Sequence, residues 1–187
     1  MSDPRTNLGF LTHIAEERYK VFAQPVYDIK TEKVIHEEWL VRFDSELKLL
    51  DVMRPAEISG AIAYLDIAML NKAVELLNEN KTRVSVAVNL SGASLDEPDF
   101  KAGLMSALQA YTADPKRLIF ELTETWDLRE TDAALDMLGE ISKAGHPTCL
   151  DDVGAGAASI RYLRIFNVDW LKIDGDFIQD AMESPRA

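Results

Sequence analysis

The sequence contains a single cysteine, Cys149, among its 187 residues. An internal disulfide is therefore excluded, and so is a zinc site built from several cysteines. No run of residues is long and apolar enough to span a membrane. The first residues also lack the basic and then apolar pattern of a secretion signal. These absences predict a protein of the reducing cytoplasm without a membrane segment.

Positive charge is scarce as well. Lysine and arginine number 20 against 32 aspartates and glutamates, which gives a formal net charge of −12. Nonspecific binding to DNA or RNA is disfavoured, because the nucleic-acid backbone is itself polyanionic. An anionic ligand can bind such a chain only where metal ions or a few arginines reverse the local field. We therefore expect no nucleic-acid partner.

Hydrophobic periodicity predicts an α/β fold in a single domain that covers residues 1–187. A helix over 7–18 precedes two strands, at 19–29 and 34–43, which a turn joins into an antiparallel hairpin. From there helices and strands alternate, and this order is typical of parallel strands with helical crossovers. The later helices are predicted at 55–80, 99–111, from 131 or 132 to 144, at 159–166 and from 177 onward, and the later strands at 83–90, 117–123, 147–150 and 169–173.

Polar side chains stand at or near the ends of the predicted strands. The carboxyl ends of parallel strands lie on one side of a sheet, and active sites of barrels are built there. Glu121 lies within an apolar strand and Lys172 lies between two apolar residues, and buried charges of this kind need partners. We expect these groups to converge at one mouth, formed by Glu38, Asn89, Glu121, Asp151 and Asp152, with Lys172 in the last strand.

The chemistry of this set points to a divalent cation. Asp151 and Asp152 are adjacent, and like charges this close repel unless a cation neutralises them. Oxygen-only ligands suit Mg²⁺ or Mn²⁺ rather than zinc. Four carboxylates can hold two metals, which activate water and clamp a phosphoryl group. Lys172 could orient that water or stabilise developing negative charge, and the reaction best suited to such a set is phosphodiester hydrolysis.

Each residue taken singly has a plainer interpretation. The pair Asp151 and Asp152 could form a solvated turn, and Glu38 could be a solvated residue on an edge strand. Asn89 could end a strand-to-loop turn, and Glu124 could be a capping residue. Taken together, these residues favour a metal site over the plainer interpretation of each residue alone.

A nucleotide site of the Rossmann type is a weaker hypothesis. It would use Gly154 and Gly156, but Ser159 stands at the third glycine position. No strand with an acidic end for a ribose follows at the usual distance.

Six motifs follow one another in order between residues 22 and 177. They are Gln24-Pro-Val26, Glu38-Trp-Leu-Val-Arg42, Val88-Asn-Leu-Ser91, Glu121-Leu-Thr-Glu124, Asp151-Asp-Val-Gly-Ala-Gly156 and Asp169-Trp-Leu-Lys-Ile-Asp174. Together they resemble the signature motifs of EAL domains, the phosphodiesterases and binders of cyclic di-GMP. The resemblance implies a modified TIM barrel whose first strand pairs antiparallel.

The resemblance also implies roles for the matched residues. One metal, Mg²⁺ or Mn²⁺, would be held by Glu38, Asn89, Glu121 and Asp151, and a second by Asp151 together with Asp152, which also takes part in catalysis. Lys172 would hold the catalytic water, and Glu124 would brace the glycine loop. Gln24, Leu40 and Arg42 would meet cyclic di-GMP, Arg42 at a phosphate.

The sequence departs from the family pattern in several places. Trp39 replaces a small residue, and the glycine loop carries Val153, Ala155 and Ala157 where the family has Phe, Thr and Tyr. In the family this loop couples dimer contacts to metal binding. Two further family motifs, Val-Ala-Glu-Gly-Val-Glu and Gln-Gly-Tyr/Phe, have no counterpart within the 187 residues. We therefore expect an incomplete EAL barrel that lacks the last two strand–helix units.

Two functions follow from this comparison. The first is a cyclic di-GMP phosphodiesterase whose isolated chain turns over little, because the second metal lacks a glutamate ligand. The alternative is a degenerate module that binds cyclic di-GMP or a protein partner without turnover. Exposed strand edges of an incomplete barrel also predict self-association, as a homodimer or otherwise.

Overall fold

The computed structural model describes residues 4–43, 49–123, 132–155 and 167–183. Within these ranges the strands are β1 (Tyr19–Tyr27), β2 (Val34–Phe43), β3 (Ser85–Leu90), β4 (Leu118–Leu122), β5 (Thr148–Val153) and β6 (Trp170–Ile173). The helices are α1 (Pro4–Ala15), α2 (Leu49–Ile58), α3 (Ile62–Asn78), α4 (Gly92–Leu95), α5 (Pro98–Ala110), α6 (Asp132–Lys143) and α7 (Gly175–Glu183), with a 3₁₀ turn at Pro115–Arg117.

The six described strands form one sheet in sequence order, β1-β2-β3-β4-β5-β6. β1 pairs with β2 antiparallel, and each later strand is parallel to the one before it. The predicted α/β fold with an antiparallel first strand is thus confirmed. Helices cross between consecutive parallel strands from β2 to β5, as the alternating pattern requires.

A turn between β1 and β2 fixes the hairpin. The Asp28 carboxylate accepts hydrogen bonds from the backbone N–H groups of Lys30 and Thr31, at 3.0 and 2.7 Å, and from the Thr31 hydroxyl at 2.8 Å. Aspartate favours such turns because its short side chain bonds the backbone two or three residues onward. The turn sets the register in which Gln24 lies opposite Glu38.

The main core lies between the sheet and the helices α3, α5 and α6. Alternate residues of β3 and β4 supply its centre, and Val86, Val88, Leu118 and Phe120 are fully buried there. Trp39 packs on this side of β2, opposite Glu38, as the alternation of strand side chains predicts. Because the helices take up one face of the sheet, the polar strand residues are left on the other face.

The helix predicted at 55–80 is in fact two helices. α2 begins earlier, at Leu49, and contains Pro55, and the chain then breaks before α3. Gly60 adopts a φ of +75° at the break, a conformation that ends a helix and that glycine adopts at little cost. Between the strand predicted at 83–90 and the helix predicted at 99–111 lies the short helix α4, whose Ser91 cap accepts from the Ala93 N–H at 3.3 Å.

Some predicted elements lie outside the described residues, namely the helix at 159–166 and the cap at 131. None of the helices in the described ranges is both long and apolar enough to cross a membrane. The missing last two strand–helix units stay a prediction.

The two outer strands of the described sheet, β1 and β6, are less covered than the central ones. On β6, Trp170, Leu171 and Ile173 are all more than 40% exposed. On α7 beside it, Phe177 and Ile178 are also exposed. A substantial apolar surface therefore flanks this edge.

Candidate metal centre

One face of the sheet gathers the polar residues that the sequence singled out. The register aligns Asn89 of β3 with Glu121 of β4, and aligned residues of parallel neighbours share a face. On β2 the same face carries His36 and Glu38, which are buried. A register shift in β5 after Leu150 marks an irregularity beside Asp151. Bulges of this kind re-aim side chains next to functional sites.

The ammonium of Lys172 lies at the centre of this face. Its Nζ donates to Oε2 of Glu38 at 2.8 Å, to Oε2 of Glu121 at 2.9 Å and to Oδ2 of Asp151 at 2.9 Å. We call Glu38, Glu121 and Asp151 the carboxylate cluster. All three protons of the ammonium are thus directed to carboxylates from three different strands.

The electrostatics of the carboxylate cluster favour a further cation. Three carboxylates and one ammonium leave a formal charge of −2 at a site where the Glu121 side chain is only 1% exposed. Burial lowers the pKa of Lys172, but the hydrogen bonds that it donates to Glu38, Asp151 and Glu121 outweigh this, so that its pKa is raised. Lys172 therefore stays charged. One divalent cation would balance the formal charge of −2 that remains on the site.

The donor set fits such an ion. One oxygen from each member of the carboxylate cluster lies within 4.8 Å of the others, close enough for one cation to be shared. Asn89 adjoins them, since its Nδ2 donates to Oε1 of Glu38 at 3.3 Å. Carboxylate and amide oxygens are the ligands that Mg²⁺ and Mn²⁺ prefer.

One predicted residue, Asp152, is placed differently. Asp152 is exposed, and its backbone N–H donates to Oδ1 of Asp151 at 2.9 Å. Its φ of +55° turns the chain, and aspartate tolerates this left-handed conformation better than most residues. Asp152 is not part of the carboxylate cluster. Glu124 lies outside the described residues.

The predicted ligand contacts, Gln24, Leu40 and Arg42, share the face of Glu38. Gln24 pairs with Glu38 across the hairpin and is exposed, and Leu40 is half-buried. Arg42 lies at the carboxyl end of β2, where its Nη1 donates to the Val41 carbonyl at 2.8 Å. An exposed guanidinium here is a local positive charge in a chain that is strongly acidic overall.

Gly154, which comes shortly after the two aspartates, allows the side chain of Phe177 to approach the backbone closely. Its φ is +109°, and a Cβ placed there would lie 2.6 Å from Cγ of Phe177 on α7. Asp174 holds the start of α7, because its Oδ1 accepts from the Phe177 N–H at 2.9 Å. The glycine thus lets the ring of Phe177 pack over the turn that follows Asp151 and Asp152.

Asp66 on α3 is a buried acid that sequence reasoning missed. Its Oδ2 accepts from the backbone N–H of Ser91 at 2.8 Å and from the Ser94 hydroxyl at 2.6 Å. Burial raises its pKa to about 7, against the opposing effect of these two hydrogen bonds, and the nearby charge of Glu57 adds to the increase. The carboxyl fixes the chain two residues after Asn89. An acid among the apolar residues of a predicted helix was the available signal.

His36 is a second residue that sequence reasoning missed. It is buried on the face of Glu38 and stacks on Trp170, with ring centroids 5.5 Å apart and an interplanar angle of 11°. Its Nε2 lies 3.7 Å from Oε1 of Glu121. Its position two residues before Glu38, on the same face of a strand, was the available signal.

Cys149 lies next to the cluster but is not a nucleophile. It is buried, and burial together with the charge of Glu121 raises the pKa of its thiol to about 12. The reactive form of cysteine is the thiolate, which is scarce at neutral pH when the pKa is so high.

Comparison with known proteins gives a consistent result. The family model described as EAL domain matches residues 10–187. The cyclic di-GMP phosphodiesterase PdeF of Escherichia coli is 28% identical over 178 residues, which are 91% of this chain and 24% of that protein. The first curated relatives are longer proteins, of which this chain spans between 21% and 28%.

Solved structures share the fold. The PaMucR phosphodiesterase in complex with c-di-GMP is 26% identical, with a TM-score of 0.77 over 96% of this chain and 76% of that one. An EAL domain protein from Listeria monocytogenes EGD-e is 24% identical, with a TM-score of 0.78 over 100% of this chain and 74% of that one. These neighbours have TIM-barrel-like folds, and the described sheet corresponds to part of such a barrel.

Proposed function

The chain belongs to the EAL domain family, and on this basis we propose that it binds cyclic di-GMP and hydrolyses it to linear pGpG with Mg²⁺ or Mn²⁺. The observation that carries the proposal is the carboxylate cluster, whose oxygens lie within 4.8 Å of one another around the Lys172 ammonium. A divalent cation there would offset the repulsion between the cluster and an anionic phosphodiester.

The residues divide between two proposed cation positions. Glu38, Asn89, Glu121 and Asp151 would hold one ion, and Asp151 and Asp152 would hold the other. When bound, the ions would lower the pKa of a water molecule and stabilise charge on the phosphoryl oxygens. Oε2 of the buried Glu121, which lies 2.9 Å from Nζ of Lys172 among the cluster oxygens, is the atom this residue would offer to the first ion.

Lys172 would act as a hydrogen-bond donor rather than as a base. Its pKa is raised by the cluster, so it keeps its protons at neutral pH. Its side chain is 32% exposed, and a cation bound by the cluster oxygens would free its protons for a water or a phosphate oxygen. In hydrolysis the water oxygen forms a new bond to phosphorus, the bond from phosphorus to one 3′ oxygen breaks, and that oxygen receives a proton.

Three residues on the same face would position the dinucleotide. Arg42 would meet a phosphate, for which its planar guanidinium is suited. Gln24 and Leu40 would contact the ligand on either side of Glu38. Glu124 would brace the turn that contains Gly154, as the family resemblance implies.

We expect the 187-residue polypeptide to hydrolyse cyclic di-GMP slowly. Asp152 is exposed and stands outside the carboxylate cluster, so a second ion would have few ligands. Loss of one main electrostatic contributor costs on the order of 10²–10³ in rate. The same observation favours the second candidate function, a module that binds cyclic di-GMP or a protein partner without hydrolysing the dinucleotide.

Incubation with cyclic di-GMP and Mn²⁺, followed by chromatography, tests the proposal. We expect binding of the dinucleotide and slow formation of pGpG that Glu38→Gln abolishes. Glu37→Gln is the matched control, because Glu37 lies next to Glu38 but on the opposite face of β2. Binding without any pGpG would favour the second candidate, and absence of binding would refute both functions that involve cyclic di-GMP.

The apolar surface beside β6 leads us to propose self-association as a homodimer. Leu171 and Ile173 share one face of β6 and are exposed, as is Phe177 of α7, and apolar patches of this kind mark interaction surfaces. Light scattering at high micromolar concentration should show a species of twice the chain mass, and a strict monomer would contradict this. We place the domain in the cytoplasm, where its single unpaired cysteine would stay reduced.

A further inference from the structure

His36 and Glu121, the latter a member of the carboxylate cluster, are buried and face each other without a hydrogen bond. Both ring nitrogens of His36 and Oε1 of Glu121 lack a hydrogen-bond partner among the residues that the structure describes. Nε2 of His36 lies 3.7 Å from that oxygen, somewhat beyond hydrogen-bond distance. The side chains are 6% and 1% exposed, so solvent does not compensate either group.

The surroundings fix both partners in this arrangement. The imidazole of His36 stacks on Trp170 with nearly parallel planes, so the ring edge rather than its face is presented to Glu121. On the other side Oε2 of Glu121 accepts from Lys172 at 2.9 Å. Glu121 thus has one oxygen turned to the proposed cation position and the other turned to His36.

We propose that His36 is a positioning residue for Glu121, to which it donates a hydrogen bond from Nε2–H to Oε1. A shift of well under 1 Å brings the pair into hydrogen-bond range, and one bond then satisfies two of the three unpartnered atoms. The bond holds the carboxylate plane so that Oε2 stays directed to Lys172 and to the cation. The consequence for metal binding rests on the proposed function, whereas the hydrogen bond itself does not.

Ligating carboxylates that are oriented by such partners lose affinity for their metal when the partner is removed, by about 10- to 100-fold. A residue that merely packs would behave differently, because packing depends on shape and not on a donor. His36→Phe keeps an aromatic ring to stack on Trp170 but has no N–H. His36→Gln loses the ring but retains an amide N–H at a similar distance from the backbone.

The order of the two variants in Mn²⁺ affinity therefore depends on the role of His36. If His36 acts as a hydrogen-bond donor, His36→Gln binds more tightly; if His36 only packs, His36→Phe does. Calorimetric titration with Mn²⁺ alone, on the full 187-residue chain, should show about tenfold or greater weakening for His36→Phe and a change within about threefold for His36→Gln. Thermal unfolding of each variant confirms that it is folded. Equal affinities, or weaker binding by His36→Gln than by His36→Phe, would overturn the proposal.

A second measurement tests for the hydrogen bond between His36 and Glu121 directly, without any metal. In a protein with ¹⁵N-labelled histidine, the spectrum should show the proton of His36 on Nε2 and a bare Nδ1. The chain has three histidines, and the signals that vanish in His36→Gln identify the right one. A proton on Nδ1 with a bare Nε2 would overturn the proposal. Failure of the wild-type chain to bind Mn²⁺ would instead count against the proposed function.

Discussion

The ammonium of Lys172 lies 2.8 Å from Oε2 of Glu38, although 134 residues separate them and three strands stand between β2 and β6. In a flat sheet those two strands would be about 19 Å apart, since neighbouring strands are spaced by about 4.8 Å. The contact shows that the sheet curls, with Glu38, Lys172 and their neighbours on the concave side. The stack of His36 on Trp170 spans the same two strands. The curvature is what makes a carboxylate cluster out of residues that are distant along the sheet.

Lys172→Met should make the protein more dependent on divalent cations. Without the ammonium, the three carboxylates repel one another, and we expect a loss of about 1–3 kcal/mol in metal-free buffer, less than for a fully buried pair because Lys172 is partly exposed. Mg²⁺ should then raise the unfolding temperature of Lys172→Met by more than that of the wild type. Thermal unfolding with a chelator and with Mg²⁺ measures both effects.

Lys33→Met is the control, because Lys33 is exposed on the hairpin turn. It should respond to Mg²⁺ as the wild type does. An equal gain from Mg²⁺ in all three proteins would show that the cation does not bind at the carboxylate cluster.

Gly154→Ala should destabilise the fold by about 1–3 kcal/mol. Its φ of +109° strains any residue with a Cβ, and that atom would lie 2.6 Å from the ring of Phe177. Gly139→Ala is a matched control within α6, where a new Cβ meets nothing within 4 Å. There the same change should stabilise by about 0.5–1 kcal/mol. Chemical denaturation measures both, and a neutral Gly154→Ala would contradict the packing of Phe177 on this turn.

Asp66 should make the folded protein less stable as the pH rises from about 4 to 7. Its pKa is 3.8 when unfolded and about 7 when folded, so in this interval the folded state binds the extra proton. The free energy of unfolding contributed by this group therefore falls as the pH increases, by at most about 4 kcal/mol, and is level above pH 7.

Urea denaturation of wild type and Asp66→Asn at pH 4.5 and 7.5 isolates this contribution. The asparagine does not titrate, whereas every other ionisable group is common to both proteins. The wild type should gain stability relative to Asp66→Asn on acidification. Parallel profiles would mean that Asp66 is ionised throughout, with Ser91 and Ser94 stabilising its charge.

Sequence patterns were sufficient to predict the sheet and most of the residues that lie together in the candidate metal centre. Strand alternation placed Glu38 and Trp39 on opposite faces, and the helix–strand order predicted parallel strands. The charged residues Glu121 and Lys172 stood out within apolar strands, where only mutual contact makes them tolerable. In the structure Nζ of Lys172 lies 2.9 Å from Oε2 of Glu121.

Other features depend on tertiary contacts and were not predictable. The break between α2 and α3 is marked only by Gly60, since apolar periodicity continues across it. Asp66 contacts Ser91 and Ser94, and His36 faces Glu121. These partners are distant in the chain, so the sequence does not show the role of either residue. The exposure of Asp152 goes with its φ of +55° at the irregular end of β5, and the adjacent aspartates allowed both this and a metal site.

Calorimetric titration with Mn²⁺ of the wild-type chain and of Glu121→Gln tests the central claim, that the carboxylate cluster is a site for a divalent cation. Glu121 is the most buried member, and its replacement by a neutral amide removes one charged ligand while preserving shape. The account predicts binding of Mn²⁺ by the wild type and at least about tenfold weaker binding by Glu121→Gln, with Glu37→Gln unchanged. Absence of binding to the wild type at millimolar Mn²⁺, or equal binding by Glu121→Gln, would contradict it.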